Sequence, residues 1–146
     1  MKVVVQRVNY ASVEYEEIKK EISRGLVVFV GISKYDTIEN VKYIAKKISN
    51  LRIFENEKGK MDKSVLDISG EVLIVSEFTL YGDCKGGNRP DFTEAAEPKI
   101  AEHLYNEFIN EVAKYVPSKN IKTGKFKAHM LVKIHNDGPV TILIEG

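Results

Sequence analysis

Seven consecutive apolar positions, Leu26-Val27-Val28-Phe29-Val30-Gly31-Ile32, lie between Gly25 and Ser33. A short continuous apolar run bounded by turn-forming residues predicts a strand buried on both faces. Whatever fold the chain takes must therefore build a sheet with material packed on either side of it. The 146 residues match the usual size of one domain, and a hydrophobic share of 43% is enough to supply that packing.

The flanking segments supply the rest of the expected domain. Val3 to Val8 and Ala11 to Tyr15 are β-branched or aromatic-rich and mostly alternate, which predicts two more strands, and Glu71 to Leu80 returns to strand character. Ile38, Val41, Ile44, Ala45, Ile48 and Leu51 recur at helical spacing behind Asp36, which with Glu39 three residues on predicts a capped helix start. Gly82 to Pro90 reads as a loop. Pro98 suits the first turn of a second helix, in which Ile100, Leu104, Phe108, Val112 and Val116 form the buried stripe while Glu97, Glu102, Glu107 and Glu111 mostly face outward. Two last strands, Ala128 to His135 and Val140 to Glu145, flank Asn136-Asp137-Gly138-Pro139, predicting a terminal hairpin. With no repeat or linker, residues 1–146 read as a single α/β domain with a mostly antiparallel sheet and two main helices.

Several chemistries are disfavoured. Cys84 is the only cysteine, and the three histidines show no ligand spacing, so disulfide, redox and zinc chemistry are not expected and no cofactor is implied. No run of about 18 apolar residues exists, and Gln6 and Arg7 interrupt the start where a leader peptide needs an apolar stretch, which predicts a cytoplasmic protein without membrane association. The net charge of +1 is far from that of a typical nucleic-acid binder. Yet no acidic residue lies between Glu111 and Asp137, an interval holding Lys114, Lys119, Lys122, Lys125, Lys127 and Lys133 with His129 and His135. That density suits phosphate contacts; a solvated lysine face is the plainer reading.

Two segments carry candidate chemistry. Val75-Ser76-Glu77-Phe78-Thr79-Leu80-Tyr81 places two hydroxyls and a carboxylate at a strand end. In a regular strand Ser76 and Thr79 point to opposite faces, so they meet at one substrate atom only if the strand breaks near Ser76. No histidine, G-x-S-x-G elbow or S-x-x-K stands ready to activate either hydroxyl, and local strand-end hydrogen bonding is the alternative role. In Asn136-Asp137-Gly138-Pro139-Val140-Thr141, a hairpin turn competes with a Gly-Pro bond of special geometry.

Together, Ser76-Glu77-Phe78-Thr79-Leu80 and Asn136-Asp137-Gly138-Pro139-Val140-Thr141 resemble the paired signature of the D-aminoacyl-tRNA deacylases, also called D-tyrosyl-tRNA deacylases. Ordered matches at Gln6-Arg7-Val8, Ala11-Ser12-Val13, Leu51-Arg52-Ile53-Phe54, Gly59-Lys60-Met61, Gly87-Asn88-Arg89-Pro90 and Thr123-Gly124 extend the resemblance over essentially the whole chain.

The resemblance implies a barrel-like homodimer with its site at the subunit interface. It implies hydrolysis of the ester of D-aminoacyl-tRNA, and of glycyl-tRNA, with the 3′-terminal adenosine and acceptor end as the bound partner. A cis Gly138-Pro139 pair would reach into the other subunit's pocket and exclude an L side chain, so that chirality is enforced by refusal. Ser76, Phe78 and Thr79 become the catalytic candidates, with Phe78 beside the terminal adenine, and Glu77, Met130, Asn136, Gly138 and Pro139 become substrate-binding candidates. The resemblance implies that a neighbouring ribose hydroxyl assists the reaction; it also offers Thr79 as a nucleophile, for which the missing activating base favours a positioning role instead. Two departures stand out. The family usually has Gln where Glu77 stands, placing a negative charge near an anionic RNA end, and usually Gly-Ala-Asp where Lys127-Ala128-His129 stands, adding positive character that offsets it. Competing readings are a non-catalytic RNA-binding module, which lacks the usual RNA-binding motifs, and a small-molecule esterase, which lacks its nucleophile motif.

Overall fold

A computed structural model describes residues 1–146. Its strands are β1 (Lys2–Tyr15), β2 (Ile18–Ile22), β3 (Gly25–Gly31), β4 (Phe54–Glu55), β5 (Met61–Lys63), β6 (Glu71–Ser76), β7 (Ile121–Thr123) and β8 (Leu131–Glu145), with helices α1 (Ile38–Asn50) and α2 (Pro98–Val112). The main sheet runs β2-β1-β3-β6-β7, with β8 on the other edge of β1. Pairing is antiparallel around β1 and parallel between β3, β6 and β7, and the sheet is nearly barrel-shaped.

As its sequence predicts, β3 is buried along nearly its whole length, because the sheet has apolar material on both faces. On one face α1 and α2 cover Val3, Val5, Val28, Val30, Val72 and Ile74; on the other, Val8, Ala11, Val13, Val27, Leu73 and Val75 form a second cluster with Met130, Val132 and Ile134. Removing this apolar area from water is the main stabilising term for the fold.

The two expected N-terminal strands are one strand. In β1, Val3 and Val5 face the helices and Val8 the second cluster, as alternation requires, but Ala11 and Val13 share the face of Val8, so the alternation must change phase between Val8 and Ala11. It does so at Asn9, an extra residue between Val8 and Tyr10 in the pairing with β8. The expected terminal hairpin is likewise one strand. Both halves of β8 pair with β1, Leu131–Asn136 against Glu14–Val8 and Thr141–Glu145 against Gln6–Lys2. Residues 137–140 face only Arg7 across the ladder and bulge out of it, so Asp137-Gly138 is an insertion within a strand rather than a turn.

Two smaller expectations also change. Thr37, not Asp36, caps α1: its N–H donates to Asn40 Oδ1 at 2.8 Å, while Asp36 accepts from the N-terminal ammonium and the Ser33 N–H. In α2 the buried side chains are Leu104, Tyr105, Phe108, Glu111 and Val112. Ile100 is exposed in the first turn, whose Pro98 and Ala101 face an open cavity rather than the core, Val116 is buried beyond the helix end, and Glu111 turns inward beside Lys114 Nζ at 2.6 Å. No helix is long and apolar enough to cross a membrane.

Candidate active site

The expected strand runs only to Ser76. Glu77 makes the last ladder contact, its N–H donating to the Val30 carbonyl at 2.8 Å, and Phe78–Tyr81 then coil into one 3-10 turn. Within that turn the Glu77 carbonyl accepts from the Leu80 N–H and the Thr79 carbonyl from the Gly82 N–H. The N–H groups of Phe78 and Thr79 open the turn and so have no partner within it, the usual condition at the start of a helical turn. This break brings Ser76 and Thr79 to the same cavity, which regular alternation would have prevented.

That cavity has a volume of about 560 Å³. Ser76, Glu77, Phe78 and Thr79 form one wall; Phe92, Ala95, Ala96, Pro98 and Ala101 form a second; Phe126, Lys127, Ala128 and Met130 form the third. Phe78 is 56% exposed and meets Phe92 edge to face at 5.0 Å, which leaves ring surface free to stack on a base. Tyr105 secures two walls at once. Its buried hydroxyl donates to the Ile74 carbonyl at 2.9 Å, two residues before Ser76, and its ring stacks on Phe126. Burial pushes its phenol well above the ordinary tyrosine range, so it remains a donor throughout the working pH range.

No histidine or aspartate lines this cavity. Glu77 is the only carboxylate in it and Lys127 the only ammonium, and neither has an ion-pair partner. Glu77 Oε1 instead accepts from Thr79 Oγ1 at 3.2 Å. The acid-free interval in sequence is not acid-free in space. Lys114 pairs with Glu111, Lys125 with Glu16 and Lys133 with Glu14, while His129 sits in a separate shallow depression beside Glu14, Glu16 and Glu17. Within the Lys127-Ala128-His129 departure, Lys127 alone gives the cavity positive charge; His129 does not.

Lys127 also has φ of +67°, a left-handed conformation that costs a side-chain-bearing residue about 1 kcal/mol. Lys127→Gly should therefore stabilise the fold, raising the thermal midpoint by about 3 °C. An unchanged midpoint in calorimetry would contradict the strain argument.

Asn136, Gly138 and Pro139 do not line the cavity of their own chain. The Gly138-Pro139 bond is cis, with Gly138 at φ +118°, and both residues are exposed at the tip of the β8 bulge. A clamp holds that bulge. Asn136 Nδ2 donates to the carbonyls of Arg7 and Val140 at 3.0 Å each, and Asn136 Oδ1 accepts from Thr141 Oγ1. Arg7, which the sequence reading did not single out, is buried beneath it. Its Nη1 donates to the Ile53 carbonyl at 2.8 Å, and its Nε lies 3.1 Å from Asp137 Oδ2 as an ion pair whose angle is too poor for a hydrogen bond. Its place on the inward face of the alternating run Val3, Val5, Arg7 was the available signal.

The chain was compared with known proteins. A family profile described as "D-Tyr-tRNA(Tyr) deacylase" matches residues 4–145. Proteins named D-aminoacyl-tRNA deacylase from Thermosipho africanus and Thermotoga petrophila are 52% and 54% identical over the whole chain and 97% of their own length. One from Bacillus anthracis is 53% identical over 99% of its length. Among solved structures, "c-Myc DNA Unwinding Element Binding Protein" superposes with a TM-score of 0.95 at 47% identity, covering 100% of this chain and 99% of that one. A probable eukaryotic D-amino acid tRNA deacylase shares the fold at a TM-score of 0.84 and 18% identity, covering 98% and 97% of the two chains. With its full length matched by the profile and by relatives of this identity, the chain belongs to the D-aminoacyl-tRNA deacylase family of hydrolases.

Proposed function

We infer that the chain hydrolyses the ester of D-aminoacyl-tRNA, and of glycine mischarged on tRNA(Ala), and spares L-aminoacyl-tRNA. The carrying observation is the pair of N–H groups at Phe78 and Thr79, without a partner in their turn, which lines a cavity without histidine. Two fixed donors suit an ester oxygen that gains negative charge at the transition state, and cost no reorganisation as it does so. No histidine stands beside Ser76 or Thr79, and the one carboxylate near them, Glu77, accepts from Thr79 Oγ1 at a long 3.2 Å, so the terminal ribose hydroxyl of the RNA is the group best placed to assist water. Thr79 positions the ester, and Phe78 stacks on the terminal adenine.

Chirality is set by Gly138-Pro139 of a second copy entering this cavity, in a homodimer. Two features favour it: the pair is exposed on its bulge and does not line its own cavity, and β8 leaves its outer edge unpaired with Leu131 and Leu143 exposed. An open edge of 15 residues is a surface that native sheets normally cover. Substrates of this kind place the enzyme in the cytoplasm.

The assisted mechanism is tested with D-tyrosyl-tRNA ending in 2′-deoxyadenosine. Hydrolysis should fall by about a hundredfold or more with binding retained, because the assisting hydroxyl is gone. An unchanged rate would return the chemistry to a protein side chain.

A further inference from the structure

The geometry points to Glu77 as the residue that recognises the α-ammonium of the aminoacyl ester, acting together with the Thr79 hydroxyl. This rests on the reading of the cavity as the ester site. Glu77 is half-buried in a mostly apolar cavity, and no cation of the chain pairs with it. A carboxylate partly removed from water without a counter-ion is unfavourable, and a cationic group of the ligand relieves that.

An α-aminoacyl ester carries such a cation one carbon from its carbonyl, and a chain phosphate on its other side. The cavity holds one carboxylate, Glu77, and one ammonium, Lys127, so its two charges complement the two ends of this substrate. The Thr79 hydroxyl has one proton, and it is directed to Glu77 Oε1 at 3.2 Å. Its lone pairs then remain for a donor from the ligand. The turn thus offers backbone donors at Phe78 and Thr79 for the carbonyl oxygen, and acceptors at Glu77 Oε and Thr79 Oγ1 for the ammonium three bonds away. A neutral glutamine at this position keeps the acceptor for Thr79 and loses only the charge. Glu77 therefore strengthens selection for a free, protonated amino group over an ester without one.

The test compares D-tyrosyl-tRNA with the ester of the matching D-α-hydroxy acid, in which a hydroxyl of similar size replaces the ammonium. Both are measured with wild type and Glu77→Gln, as kcat/KM. Comparing the ratio across variants cancels the intrinsic reactivity difference between the esters. Loss of a charge-assisted contact should reduce the preference for the amino ester by about tenfold in Glu77→Gln, through KM more than kcat. A preference equal in the two proteins overturns the inference, including the case in which both esters slow together, as a general base at Glu77 would produce. If wild type hydrolyses neither ester, the site reading fails and the inference falls with it; if wild type is active and only the ratio fails to move, the site reading stands alone.

Discussion

Gly138→Ala should lower D-tyrosyl-tRNA hydrolysis by about a hundredfold or more while the protein stays folded, since misplacing a positioning group by an ångström can cost that much. Gly138 sits at φ +118°, a conformation that residues with a Cβ rarely adopt. The added carbon would also lie 2.9 Å from Val140 Cγ2 and 3.1 Å from Arg7 Nη2. Arg7 cannot withdraw freely, because its Nη1 is engaged with the Ile53 carbonyl. The bulge must therefore reshape, and its exposed tip moves. The fold tolerates this because the displaced residues are outside the β1–β8 ladder. Circular dichroism should remain native, and retained binding of charged tRNA would separate recognition from chemistry. Near-normal hydrolysis by a folded variant would contradict a role for the bulge.

Gly25→Ala should remove the fold itself. Gly25 starts the parallel pairing of β3 with β6 opposite Glu71, and a Cβ there would lie 1.8 Å from the Glu71 carbonyl oxygen and 2.7 Å from its carbon. These are backbone atoms, so no rotamer change relieves the contact. The two most buried strands would have to separate at their first pair. Destabilisation should exceed about 4 kcal/mol, a size that only a few mechanisms reach. Urea titration should show an unfolded or insoluble protein, and a midpoint near that of wild type would contradict the placement of β3 against β6.

The parts of the fold set by hydrophobic pattern were readable from the chain. The apolar run of β3 and the helical spacing of Ile38 to Ile48 each describe a buried surface that only one kind of element satisfies. The break at Ser76 was readable as a condition, since its two hydroxyls could share a cavity in no other way. What the chain did not announce were features created by pairing. The β1–β2 hairpin turns at Glu16-Glu17, both with positive φ, where a residue pair such as Asn-Gly would normally mark the turn. The single strands β1 and β8 were each read as two, because the phase change at Asn9 and the insertion at Asp137 to Val140 look like ends when viewed along the chain. Lysines in the basic interval meet their carboxylates across the sheet, at Glu14 and Glu16, more than a hundred positions away in sequence. In the proposed homodimer the relation of Gly138-Pro139 to the cavity belongs to a second copy, so neither periodicity nor a single chain's geometry contains it.

The most direct test is parallel deacylation of D-tyrosyl-, L-tyrosyl- and glycyl-tRNA by the purified protein with a chelator present. Rapid loss of the D and glycyl esters with the L ester intact is the predicted result. Equal cleavage of the L ester would contradict exclusion by Gly138-Pro139, and survival of all three esters while charged tRNA remains bound would make the chain a binding module instead.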